Sequence, residues 1–480
     1  MNTQAFEQGN QLMAAGQYQQ AIACFDRCLQ VNSQDWQAWL NRGNARMALR
    51  QLNLALEDYL QAATLQPQAS SVKVNLAVLL KELGELALAE SLLREVLGQE
   101  PGHADAWSNL GTICYYQADY AQAWQCQQQA LDIAGDSPAR LNNLAMACIA
   151  ALQPLQAEQQ LRRALALPDA PAVCRFNLAV ALLMQGRYAE AWPYYEARWE
   201  GMLQPRWPAQ RWQGQPLAGK TLLLWAEQGL GDTLQMVRFV PLLRAANPEA
   251  HIVLAVQDSL LRLLTQLDGV TVVPLSSAVP AFDWQLPLMS LPGVLNVDLG
   301  SLPRQPYLRS VLAQPPRLLP HTGRLKVGLV WLAVPQGGGI AELARQGRSV
   351  PAEALLPLRE LVGVDFYALQ PGAVDPLLAG WVQPLPLQDF ADTAAMAVQL
   401  DLLITADTAA LHLMAALGKP VWVMMRAERA PFFLAEGHSS PWYDSVALWC
   451  QPRVGEWREV GLQVADALHR LLITGSDSLA

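Results

Sequence analysis

The chain has 480 residues, 52% hydrophobic and 16% charged, with a formal net charge of −9 and a pI near 5.3. That length predicts two to four domains, and the acidity argues against a protein that coats nucleic acid. No apolar run is long and unbroken enough for a transmembrane helix. The opening residues 1–8 lack the basic region and apolar core of a signal peptide. Seven cysteines with no paired framework fit a reducing, cytoplasmic setting. Cys24 and Cys28 share a helix face, but with no second ligand pair they read as small core residues, and no metal site is expected.

Residues 1–200 divide into blocks of 34 beginning at Asn2, Trp36, Ser70, Ala104, Pro138 and Ala172. Position 8 of each block is small (Gly9, Gly43, Ala77, Gly111, Ala145, Ala179). Position 20 is alanine throughout (Ala21, Ala55, Ala89, Ala123, Ala157, Ala191). Small residues at these two places let paired helices approach closely, and Phe25, Tyr59, Leu93 and Tyr195 at position 24 fill the space between units. Gly16, Gly84 and Gly186 end first helices. Position 6 reads Asn41, Asn75, Asn109, Asn143 and Asn177. An amide that offers two donors and one acceptor can pair with both groups of a peptide bond. A ladder of such side chains can hold an extended polypeptide by its backbone; asparagine is also an ordinary occupant of such a helix.

A Pro/Trp-rich linker, 201–219, follows, with Trp207 and Trp212 suggesting a packed strut. From residue 220 short apolar runs alternate with helical periods, which predicts parallel sheet in two lobes, 220–320 and 321–480. Strands are expected near 221–226, 251–256, 270–274 and 283–287, then 325–331, 364–369, 401–405, 420–425 and 446–450. Helices are expected at 232–246, 258–267 and 456–472.

Two turns carry the chemistry. In the first, Trp225-Ala226-Glu227-Gln228-Gly229-Leu230-Gly231-Asp232-Thr233 joins a strand to a helix. Gly229 and Gly231 would let a ligand near the backbone, and Asp232 stands where the helix N-cap belongs. In the second, a strand ends at Thr405, Asp407 or Thr408 caps the next helix, and Gly418 stops it. Thr408 and His412, four apart, share a face. Free N–H groups at that N-terminus suit a diphosphate, with His412 a donor to phosphate or to a sugar hydroxyl. The same pattern is also ordinary structure.

The 34-residue pattern resembles the tetratricopeptide (TPR) repeat. The second half is similar to the ADP-heptose:lipopolysaccharide heptosyltransferase family. It shares Ala226–Thr233, the segment from Asp407 through Trp422, Ser440-Pro441-Trp442-Tyr443, and the junction Gly186-Arg187-Tyr188 through Arg198-Trp199. The whole layout is analogous to O-GlcNAc transferase. The resemblance implies an all-α TPR superhelix followed by an α/β B-type glycosyltransferase unit of two Rossmann-like lobes. It implies inverting transfer of a sugar from a nucleotide-diphosphate donor, with no metal and no cofactor beyond that substrate. Asp232 would be the base and His412 its companion. Gly229, Gly231, Arg348, Gln370, Thr405, Asp407, Thr408 and His412 would hold the donor, and the five asparagines a polypeptide acceptor.

The chain departs from the family after the first strand of the second lobe. Where relatives carry Trp-Ser-Gly-Asn-Pro, this chain has Trp331-Leu332-Ala333-Val334-Pro335, although Arg348-Ser349 remains and Arg345 and Arg348 supply positive charge. Gln370 is followed by Pro371 where relatives often have lysine. Ala430-Pro431-Phe432-Phe433 replaces an aromatic-rich Asp-Trp-Arg-Trp. A protein glycosyltransferase is therefore one expectation. A catalytically inactive scaffold for protein partners and a transferase acting on a glycan are the alternatives.

Overall fold

The computed structural model describes residues 3–207, 210–333 and 347–474. They form two compact units. One comprises the described residues up to 151 with 160–170, and the other comprises 152–159 with the described residues from 171 onward.

The first unit is built of antiparallel helix pairs: Thr3–Ala14 with Tyr18–Val31, Trp36–Ala48 with Leu52–Leu65, Ser70–Leu83 with Leu86–Gln99, and Ala104–Tyr116 with Tyr120–Ala134. Pro138–Ala150 continues the series. The small residues act as expected of them. A Cβ added at Gly9 would stand 2.7 Å from the Phe25 ring, and one at Gly43 would stand 2.5 Å from Tyr59. The position-20 alanines are fully buried. Asp35, Asp119 and Ser137 cap their helices by accepting from backbone N–H groups three residues on, as short polar side chains do best.

The turn between paired helices always falls at position 15, and there the backbone is left-handed in all six blocks. Gly16, Gly84 and Gly186 have φ of 71°, 88° and 75°, while Arg50, Ala118 and Leu152 have 58°, 64° and 57°. Only glycine takes this region without a Cβ penalty, so three of the six turns carry strain. A buried ion cluster ties the first two pairs together: Asp58, inaccessible to solvent, meets Arg42 at 2.7 Å and Arg46 at 2.9 Å, and Arg42 also reaches Asp26.

In the second unit, the helices Ala172–Met184 and Tyr188–Tyr195 precede two all-parallel sheets. The first has β1 (Thr221–Trp225), β2 (His251–Val256), β3 (Val270–Pro274) and β4 (Trp284–Pro287) in the order β3-β2-β1-β4. The second has β5 (Leu325–Val330), β6 (Val364–Ala368), β7 (Val382–Pro384), β8 (Leu402–Ala406), β9 (Val421–Met425) and β10 (Val446–Cys450), ordered β10-β9-β8-β5-β6-β7. Strands buried on both faces explain the unbroken apolar runs. β7 and the helix Phe390–Ala397 lie outside the expected set, the former too short and the latter too rich in alanine to show a period.

The segment before β1 is anchored. Gln285 of β4 exchanges backbone bonds with Gln210 and Trp212, and Trp212 is buried. Trp199 and Trp207 both pack on Trp225, each with ring centroids 5.6 Å away. Among the described residues no helix is long and apolar enough to cross a membrane.

Candidate functional site

Each sheet reverses its strand order once, between β1 and β4 and between β5 and β8. A doubly wound sheet opens a crevice at the carboxyl ends of the strands flanking such a reversal. Both turns singled out above lie there. The Ala226–Thr233 turn leaves β1, and with Leu288 and Met289 after β4 it lines a small cleft. The Asp407–Thr408 turn leaves β8.

The structure brings the two turns together. The helix Leu230–Met236 packs on the helix Ala409–Ala416, and Gly231 is the point of contact. A Cβ there would stand 2.9 Å from Cδ2 of His412 and 3.5 Å from Cα of Ala409. Gly231 therefore serves close helix packing, and neither it nor Gly229 needs a positive φ.

The N-cap of the first helix is Gly229, not Asp232. Asp232 stands three residues further on, and its Oδ2 accepts the Gly229 N–H at 2.9 Å. That is half of a capping box, with glycine supplying no side chain for the other half. Burial pushes the Asp232 carboxyl up to about 6; the Gly229 bond opposes this, Asp407 adds to it and Arg348 opposes it. Asp407 is likewise raised by burial and drawn back by Arg348 and Arg426. Asp232 thus feels both the Asp407 carboxylate and the Arg348 guanidinium, and carboxyls perturbed in this way cluster at functional sites.

Thr408 caps the second helix through its extended backbone alone, since its side chain makes no capping bond. Its Oγ1 lies 3.3 Å from that of buried Thr405, which donates to the Ala406 carbonyl. Among the described residues no side chain caps the first-turn N–H groups of that helix. Gln370 is committed elsewhere: its Oε1 accepts from the backbone N–H groups of Trp331 and Leu332 at 2.9 and 3.2 Å, shaping the chain after β5. Ser349 accepts from Ala333 N–H at 3.0 Å. Arg345 and the stretch 334–346 lie outside the described residues.

His412 is held below the ordinary imidazole range, at about 3, by burial and by the nearby Arg238 guanidinium. It is therefore neutral. Its Nδ1 lies 3.0 Å from the Tyr443 hydroxyl, which lies 3.2 Å from that of Tyr307. Arg238 stacks over Tyr443 and Tyr307 at 4.3 and 4.8 Å and donates to the carbonyls of Gln235, Pro303 and Trp442. Sequence reasoning assigned no role to Arg238, Tyr307 or Tyr443. Tyr443 stood in a flagged motif, but Tyr307 sits in a proline-rich boundary where no spacing marks it.

The first acid of the turn, Glu227, is structural. Its buried carboxylate pairs with buried Arg198 at 2.9 Å and accepts the Met289 N–H at 3.0 Å. Arg198 also donates to Ser290 Oγ at 2.6 Å. The junction motif continues in Tyr188, whose hydroxyl accepts from Trp442 Nε1 at 2.9 Å, and in Trp192, which donates to the Val297 carbonyl. Two motifs far apart in sequence thus pack as one aromatic cluster with Phe432.

In the repeat unit, Asn41, Asn75, Asn109 and Asn143 are half-buried. Asn41 donates to Asn10 Oδ1 and Asn75 to Asn44 Oδ1, both at 2.9 Å. Each bond joins successive blocks and uses one of the two amide donors. Asn177, in the second unit, is buried. Among the described residues no group of three or more histidines, cysteines or acids could hold a metal.

The chain matches the tetratricopeptide repeat family model over residues 6–70 and 74–138, so its N-terminal region carries TPR repeats. Protein FlbA of Caulobacter vibrioides is 28% identical over 438 residues, 82% of this chain and 72% of that protein. Human tetratricopeptide repeat protein 7B is 26% identical over 124 residues, 26% of this chain and 15% of that protein. The solved structure of a thermophilic TPR protein from Thermus thermophilus is 25% identical, covering 38% of this chain and all of that one, with a TM-score of 0.35.

Proposed function

We propose that this chain is a glycosyltransferase that takes a sugar from a nucleotide-diphosphate donor and recruits its polypeptide acceptor through its TPR repeats. The reading rests on Asp232, a carboxyl raised by burial to about 6 and within electrostatic reach of Asp407 and Arg348. A base of that strength is mostly ionised at pH 7 yet still takes a proton. With Oδ2 held by Gly229, Oδ1 takes the proton of the acceptor hydroxyl as that oxygen bonds to the anomeric carbon. The bond from this carbon to the diphosphate oxygen breaks, and its electron pair leaves with the diphosphate. Arg348 and the N–H groups at Ala409 offset that charge. Thr405, Asp407 and Thr408 shape the same donor site, and the second amide donors of Asn41 and Asn75 offer bonds to a polypeptide backbone.

A catalytically silent scaffold is the second reading, favoured by Leu332 and Ala333, apolar residues directly after β5, of which Leu332 is well exposed. Thermal shift and calorimetry against UDP-, GDP-, ADP- and CMP-sugars separate the two. A ligand at 100 times its Kd stabilises the native state by about 2.7 kcal/mol. Stabilisation lost in Thr408→Ala supports the transferase, and well-folded protein that ignores every nucleotide sugar defeats it.

A further inference from the structure

The hydrogen bonds around His412 admit one assignment of protons. The Tyr307 hydroxyl lies 2.8 Å from the Leu234 carbonyl, which only accepts, so Tyr307 spends its single proton there. The 3.2 Å contact between the Tyr307 and Tyr443 hydroxyls is then a hydrogen bond only if Tyr443 donates. Tyr443 has no further proton to give, so its 3.0 Å contact with His412 Nδ1 is a hydrogen bond only if Nδ1 carries the imidazole proton. Arg238 enforces the direction. It donates to the Tyr307 oxygen at 3.3 Å and stacks on both phenol rings, which favours acceptor roles for the hydroxyl oxygens beside it. Tyr307 is itself pinned, because its backbone N–H and that of Leu308 both donate to the Ala416 carbonyl at the end of the helix bearing His412.

We propose that Tyr307 and Tyr443 are positioning residues that fix His412 as the Nδ1–H tautomer, so that Nε2 presents a lone pair to the recess and accepts from a ligand hydroxyl. This rests on the transferase reading for the source of that hydroxyl, the sugar or ribose of the donor or the acceptor itself. It reverses the expectation that His412 is a donor, to phosphate or to a sugar hydroxyl. Nε2 makes no hydrogen bond among the described residues, and it lies 3.5 Å from where a Cβ of residue 231 would be, beside the turn that carries Asp232. Burial and Arg238 keep the ring neutral, so no second proton arrives to turn Nε2 into a donor. A phosphate oxygen, which brings only lone pairs, is repelled there, whereas a hydroxyl is welcome. A site built to accept from a hydroxyl discriminates strongly against an analogue that lacks it.

The test needs no donor. The full chain, with its six histidines labelled with nitrogen-15, is observed by long-range proton–nitrogen correlation at pH 7, and His412 is assigned by its loss in His412→Gln. The expected pattern has Nδ1 as the protonated, pyrrole-type nitrogen and Nε2 as pyridine-type. An Nε2–H tautomer or an imidazolium overturns the proposal. In Tyr307→Phe the acceptor for Tyr443 is gone, so Tyr443 turns its proton to Nδ1 and the Nε2–H tautomer becomes the major form. An unchanged tautomer in that variant overturns the relay. Saturating inorganic pyrophosphate should leave the Nε2 signal pyridine-type, and its conversion to a protonated nitrogen refutes the preference for hydroxyl. Failure of every nucleotide sugar to bind would instead strike the transferase reading and leave the tautomer standing.

Discussion

Asp232→Asn separates the cost of the site from its use. In the folded chain the Asp232 carboxyl rises from an ordinary 3.8 to about 6, chiefly through burial. Each unit of such a shift is worth about 1.36 kcal/mol, giving a ceiling near 3 kcal/mol. Asp232 is partly exposed, and solvent screening brings this to roughly 1–2 kcal/mol. The sign follows from the direction of the shift. The folded state holds the proton more tightly than the unfolded chain, so this contribution is fully present below about pH 4 and is lost as pH rises through about 6. Asparagine keeps an acceptor for the Gly229 N–H and never ionises. Wild type and variant should therefore be equally stable near pH 4 and diverge between about pH 4 and 6, with the variant the more stable by roughly 1–2 kcal/mol from there up to pH 8. Urea denaturation from pH 4 to 8 measures the difference, and the same variant should have no transferase activity. Parallel stability profiles would refute the claim that Asp232 is held against its own ionisation, and with it the base assignment.

Further outcomes follow from the packing. Arg198→Ala leaves the Glu227 carboxylate buried without its cation and should cost about 3–5 kcal/mol by urea denaturation. Gly461→Ala would place a Cβ 1.8 Å from the Ala354 carbonyl oxygen; this backbone clash between the helices Trp457–Thr474 and Ala352–Leu355 should cost about 3 kcal/mol or more, above ordinary overpacking. Ala118→Gly relieves a left-handed φ of 64° and should stabilise the repeat unit by about 0.5–1 kcal/mol, after the greater unfolded-state entropy of glycine is counted. Arg348→Ala removes the cation that draws Asp232 and Asp407 down, so the pH midpoint of the Asp232-linked stability change should move upward.

Much of this molecule is legible in its sequence because its signals are local. The 34-residue period recurs within two helices. Alanine at position 20 and a small residue at position 8 are read without knowing what they touch, and the observed first helices begin on the block boundaries from Trp36 onward. The central strands β1, β2, β8 and β9 are largely apolar runs, and the two turns are defined by residues adjacent in the chain. Position 15 is a partial case: glycine marks the left-handed turn in three blocks, while Arg50, Ala118 and Leu152 adopt it without any such mark because the helix pair imposes it.

What only the tertiary structure decides is which groups share a space. That Gly231 meets His412, that Asp232 feels Asp407 and Arg348, and that Glu227 is spent on Arg198 depend on residues brought together from distant strands. Tyr307 and Tyr443 are 136 residues apart and carry no motif in common. The direction of their protons follows from three contact distances and one carbonyl that can only accept. The sequence alone thus determines most of the helices and strands, though not β7 or the helix Phe390–Ala397, and the turns that carry the two motifs. The chemistry of the recess, including which nitrogen of His412 is free, is set by burial and hydrogen-bond direction, and these exist only once the chain has folded.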